Sequence, residues 1–171
     1  MQPKWRMRGA LAAACLFFFS CGYRFSGTGD FPGGIETVAV YVFENRTAET
    51  GAETIFTNDF IYELTRSGKV RVVDAAAAGA MIYGDIQSLS VSNITHRNVN
   101  VSNQRRVTVV VNLRLVKADG KVVRTMRGIR DYEEYDVAGD KLSTEQNRSE
   151  AIRELSQRMA EKMYNRITDD F

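Results

Sequence analysis

The chain has 171 residues, a single-domain length, with 44% hydrophobic and 26% charged residues and a formal net charge of +2. A domain of about this size buries roughly 68–70% of its unfolded surface, so it needs no disulfide framework to hold a core. Lys4, Arg6 and Arg8 account for the positive excess; beyond residue 20 there remain 20 of the 23 basic residues against all 21 acids, and the basic pI gives no support for nucleic-acid binding.

Those three cations sit in "MQPKWRMRG", followed by the apolar run "ALAAACLFFF" from Ala10 to Phe19. As a helix that run would be roughly 15 Å long, about half the hydrocarbon core, so residues 1–20 have the make-up of a removable signal peptide rather than a membrane span. Cys15 lies inside the run and leaves with it, so no Cys15–Cys21 disulfide is expected. Cys21, between the small Ser20 and Gly22, resembles the bacterial lipobox cysteine. That cysteine takes an S-diacylglycerol before cleavage on its amino side, and an N-acyl chain completes the anchor. Phe18 and Phe19 depart from the Leu and Ala/Ser that the pattern prefers. An ordinary signal peptide with an incidental cysteine is the alternative, and "AAAC" ending at Cys15 is a rival lipobox with too short an apolar run before it.

Residues 21–34, "CGYRFSGTGDFPGG", form a Gly-rich tether with aromatic anchors. The segment lacks the Lys-Ser/Thr ending and the preceding strand that a phosphate loop requires. Residues 35–171 are expected to form one α/β domain. Ile35–Asn45 has the β-branched and aromatic content of a strand, apolar on both faces and therefore inside a sheet. Thr50 and Glu53 have capping-box spacing, Phe56, Phe60 and Leu64 share a helix face, and Gly68 supplies the stop. Lys69–Asp74 returns as a short strand, giving a right-handed parallel crossover, and Ala75–Gly79 is a spacer.

From Ala80 to Tyr135 the pattern is β throughout. Val107, Val109, Val111, Leu113 and Leu115 form a wholly apolar face; Arg106, Thr108, Val110, Asn112, Arg114 and Val116 form a mixed one. Asp119-Gly120 marks a hairpin turn. A helix over about Thr144–Ile167 follows, with Ser143 and Gln146 as its capping box and Ile152, Leu155, Met159, Met163 and Ile167 as its buried stripe. The order β-α-β-β-β-α places two amphipathic helices on the apolar face of a mixed sheet, a two-layer α/β sandwich.

Catalytic and metal constellations are not evident. His96 is the single histidine, in a polar stretch with no Cys or His beside it. Glu133 and Glu134 point to opposite faces of a strand, and Asp169–Asp170 ends the chain. The chain therefore reads as a non-enzyme. What stands out is a basic run of Arg97, Arg105, Arg106, Arg114, Lys117, Lys121, Arg124, Arg127 and Arg130, interrupted by one acid, Asp119. It is either the decoration of a solvated face or an anion site, to which guanidinium forks are suited.

"CGYRF", "GGIETVAVYVFENRTAETGAE", "DYEEYDV" and "TEQNRSEAIRELSQRMAEKMYNRITDDF", in this order, resemble the LptE family of lipopolysaccharide-assembly lipoproteins over nearly the whole chain. The resemblance implies two helices on a mainly four-stranded sheet and an LptD-type outer-membrane β-barrel as the partner to be plugged. It also implies lipopolysaccharide as ligand, a lipid-anchored outer-membrane location, and no nucleic acid. With Gly22 rather than Asp after Cys21, sorting to the outer membrane follows by the same resemblance. Arg105, Arg106, Arg114 and Arg124 are the candidate lipopolysaccharide contacts, with acyl chains along Val110 and Val116. Two other classes stay open: a structural lipoprotein for a different envelope protein, and a periplasmic hydrolase with an unrecognised site.

Overall fold

Three long antiparallel strands dominate the computed structural model, which describes residues 31–94 and 103–169. The leader, Cys15, Cys21 with its expected lipid, most of the tether, His96, Arg97 and Asp170 lie outside the described residues. β1 (Thr37–Val40), β2 (Glu44–Asn45) and α1 (Ala52–Ser67) lead into β3 (Arg71–Val72). β4 (Ala80–Ile94), β5 (Gln104–Lys117), β6 (Val122–Asp136) and α2 (Lys141–Thr168) follow. The sheet order is β3-β1-β4-β5-β6, with β2 paired to β4. The sheet thus has six strands rather than four, because two-residue pairings at β2 and β3 extend it. β1 is parallel to both β3 and β4, which bears out the parallel crossover pairing, and β4–β5–β6 are antiparallel.

The apolar periodicities work as expected. Phe56, Phe60 and Leu64 on α1 are fully buried, as are Leu155, Met159, Met163 and Ile167 on α2 and the odd-numbered residues Val107–Leu115 on β5. Each such aliphatic or aromatic side chain contributes roughly 1.5–3 kcal/mol by leaving water. Both helices pack on this one face, α2 along β6 and β5, and α1 against α2, β2 and β3. Gly68 ends α1 at φ 65°, a left-handed cap that glycine takes without a Cβ penalty. Among the described residues, no helix is long and apolar enough to cross a membrane.

Three local expectations change. The strand over 35–45 is interrupted: from Val40 (opposite Ile82) to Glu44 (opposite Asp85) this chain takes four steps to β4's three. The extra residue flips the alternation, so Phe43 enters the core while Val42 is 69% exposed. The Thr50–Glu53 capping box does not form. Gly51, at φ 86°, occupies the N-cap, and Asn45 Nδ2 instead bonds Glu53 Oε2 at 2.7 Å and the Glu49 carbonyl at 2.8 Å. α2 starts three residues before Thr144, capped by Asp140, whose Oδ1 accepts the Ser143 N–H at 2.9 Å.

Candidate functional site: the open sheet face

With both helices on one side, alternation along β5 sends Arg106, Thr108, Val110, Asn112, Arg114 and Val116 to the other. Neighbouring strands complete that face by register. Ser92 and Glu134 flank Arg106, Ser90 and Tyr132 flank Thr108, and Tyr83 and Thr125 flank Arg114. The result is a mixture of aromatic rings, valines and hydroxyls carrying separate guanidiniums.

The two arginines expected to face away from the helices do so, at opposite ends of the strand. Eight residues at about 3.4 Å each put them roughly 27 Å apart, so they form two sites rather than one cluster. Arg106 is engaged locally: its Nη2 lies 2.6 Å from Glu134 Oε1, and its guanidinium carbon sits 4.2 Å from the Tyr132 ring centroid. Arg114 has no carboxylate at ion-pair distance among the described residues. Its guanidinium lies 5.1 Å from the Tyr83 ring, and Tyr83 stacks on Tyr41 with centroids 5.0 Å apart and planes 6° from parallel.

Arg114 borders a cleft of about 370 Å³ that also takes in Val42, Arg46, Asp85, Thr125 and Arg127. Arg46 Nε lies 3.2 Å from both Glu44 Oε1 and Asp85 Oδ1. The Glu44 hydrogen bond first, then the Asp85 charge, hold its guanidinium protonated above the ordinary arginine range. Arg46 is thus neutralised locally, whereas Arg114 and the exposed Arg127 leave the cleft's far rim cationic. Arg127 owes its place to a β-bulge. β6 carries one extra residue between Met126 and Ile129, Gly128 stands at φ 65°, and its N–H bonds Asn112 Oδ1 at 2.8 Å.

The other two expected arginines are elsewhere. Arg105 shares parity with Val107 and so lies on the helix side, where its Nε donates to Asn93 Oδ1 at 3.2 Å. Arg124, opposite Leu115, also faces the helices: its Nη1 reaches the Ile167 carbonyl at 3.0 Å and the Arg166 carbonyl at 3.4 Å. It caps the carboxyl end of α2 and does not join Arg106 and Arg114. Sequence reasoning missed Arg46 and the Tyr41–Tyr83 stack, and held Arg127 only as a member of the basic run, not as a candidate contact. An isolated glycine inside "TMRGIRDY" signals a bulge that could have singled out Arg127. The tyrosine stack depends on the pairing of β1 with β4, which no local signal gives.

Glu133 and Glu134 do face opposite ways, Glu133 to Arg158 of α2 and Glu134 to Arg106. Among the described residues no group of three His, Cys, Asp or Glu could hold a metal ion.

The family model described as LptE, lipopolysaccharide-assembly, matches residues 35–167. Similar solved structures include the minor lipoprotein from Acinetobacter baumannii, at 13% identity and TM-score 0.53, covering 78% of this chain and 90% of that one. Rare lipoprotein B from Shewanella oneidensis is similar at 14% identity and TM-score 0.53, with 77% and 92% covered. At such identities the likeness is one of fold. No curated protein matches the sequence.

Proposed function

Because this chain belongs to the LptE lipopolysaccharide-assembly family, we propose that it is a stoichiometric, non-catalytic lipoprotein of the outer membrane, anchored through acyl chains on Cys21. In this reading the domain plugs an LptD-type β-barrel and turns its open sheet face towards lipopolysaccharide. The observation that supports it is the chemistry of that face: Arg114 and Arg127 beside stacked tyrosines and valines, an arrangement suited to phosphate and acyl groups of one glycolipid. Charge-assisted bonds from guanidinium to phosphate contribute about 1.5–3 kcal/mol each. Val110 and Val116 lie on the same face, half-buried and available to acyl chains.

The test has two parts. Native protein extracted in mild detergent should co-purify with a large β-barrel in equal amount; protein running free of any barrel removes the plug. Arg106→Glu with Arg114→Glu should weaken lipopolysaccharide binding at least tenfold, about 1.4 kcal/mol, while circular dichroism stays unchanged. Unaltered binding in the folded double variant moves the site away from this face.

A further inference from the structure

One end of the domain gathers elements that the open face does not use. The starts of β1, β3, β4 and β6, the end of β5 and the carboxyl ends of both helices all meet there, as the pairings of Thr37 with Arg71, Val38 with Ala80, Ala80 with Lys117 and Val116 with Val122 require. Hydrogen bonds lock the loops together. Gly79 N–H donates to the Thr37 carbonyl at 3.1 Å, and Ala118 N–H to the Gly79 carbonyl at 3.0 Å.

The tip of this end is apolar and exposed. Ala75–Ala77 form a single exposed 3-10 turn, and Val122 is 51% exposed. Around the tip stand Lys69, Arg71, Lys117 and Lys121, with Arg124 and Arg166 behind them. Among the described residues, Glu36, Asp74, Asp119 and Asp169 are the acids of the same end. Asp119 is exposed in the hairpin turn, its Oδ1 accepting the Lys121 N–H at 2.9 Å. Among the described residues this end carries six bases against four acids, in a chain whose remainder beyond residue 20 is net negative.

The chain also enters the domain here. Phe31 is buried, and Gly33 lies against Lys117 and Val123, where an added Cβ would meet Lys117 Cε at 3.4 Å. Ten residue steps separate Cys21 from Phe31, no more than about 35 Å at full extension. An acylated Cys21 would therefore hold this end, rather than the far ends of β4 and β5, close to the bilayer.

We propose that the basic end of the domain, tipped by Ala75–Ala77 and Val122 and flanked by Lys69, Arg71, Lys117 and Lys121, docks on the anionic phospholipid headgroups of the membrane that holds the anchor. The proposal rests on the reading of Cys21 as the anchor. Near an anionic surface each base contributes roughly fivefold to partitioning, falling off within a Debye length. Docking fixes the orientation of the domain and leaves the open sheet face free for its own ligand.

The test uses the mature acylated protein carrying Val122→Cys, whose thiol takes a fluorophore while acylation blocks Cys21. It is reconstituted into phosphatidylcholine vesicles with and without phosphatidylglycerol, each containing a headgroup-quenching lipid. Quenching should be several-fold stronger with phosphatidylglycerol and should fade as salt rises. It should be lost when Lys69, Arg71, Lys117 and Lys121 are all changed to Gln, and a label at Tyr132→Cys should stay unquenched. Equal quenching without phosphatidylglycerol, or equal quenching at position 132, overturns the proposal. A free Cys21 thiol by mass spectrometry, with failure to float on phosphatidylcholine vesicles, defeats the anchor reading instead. In that event the same protein should still partition onto phosphatidylglycerol vesicles, on the order of several hundredfold better than its four-Gln variant; no difference between them overturns the docking surface.

Discussion

Phe43 lies where a side chain on Gly84 would have to be. The ring is 2% exposed, and a Cβ built on Gly84 falls inside its van der Waals envelope. The strand interruption after Val40 aims Phe43 inward, its ring tilted 51° to that of Phe60 at 5.9 Å, and the bare β4 backbone makes the room. Gly84→Ala should therefore destabilise the domain by about 1–3 kcal/mol, the usual cost of overpacking a filled core. Chemical denaturation checks this, with a lower midpoint and an unchanged slope expected.

Arg106 and Glu134 are directly opposite and both substantially exposed, so their ion pair contributes little to folding. A double-mutant cycle with Arg106→Ala and Glu134→Ala should give a coupling below about 1 kcal/mol that shrinks in high salt. Loss of lipopolysaccharide binding on changing Arg106 can then be assigned to the face itself rather than to unfolding.

Arg124 places a cation on the last carbonyls of α2, where the helix dipole is negative. Arg124→Gln should cost about 1 kcal/mol and speed amide exchange across the last turn of α2. Lipopolysaccharide binding should be unaffected, because this side chain lies on the helix side of the sheet.

Asp140 caps α2, and its hydrogen bonds from the Ser143 N–H and side chain hold its carboxyl below the usual aspartate range. A depressed folded-state value means that its stabilisation is present above the unfolded pKa and is lost as pH falls through the folded one. Asp140→Asn should keep the cap at neutral pH and remove this acid-dependent share, whereas Asp140→Ala should lower Tm even at neutral pH. Thermal melts across the acid range distinguish the two.

β6 is an edge strand, and α2 covers it. Arg158 Nη2 donates to the Tyr132 carbonyl at 2.6 Å and Lys162 Nζ to the Arg130 carbonyl at 2.6 Å, while both also face carboxylates on β6. Changing both to Ala should bare these carbonyls and promote edge-to-edge association. Light scattering should show concentration-dependent growth in the double variant and none in the parent.

Local periodicity by itself determined the architecture. The four-residue spacing of Phe56, Phe60 and Leu64, the stripe from Ile152 to Ile167 and the alternation from Val107 to Leu115 each name a buried face, and a two-layer sandwich is how three such faces can be covered together. The same alternation turned Arg106 and Arg114 outward. What it could not supply was register. Alternation also puts Arg105 opposite to Arg106, but whether Arg124 stands on the same side as Arg106, whether Tyr41 meets Tyr83, and where Arg127 points all depend on single-residue slips. These occur at Gln87 in β4, between Val40 and Glu44, at Val123 and near Gly128. One inserted residue sends every following side chain to the opposite face, and that insertion is fixed by which strands pair rather than by the residues within any one strand. Only the tertiary structure chose among those pairings, because the contacts that decide them join residues far apart in the chain.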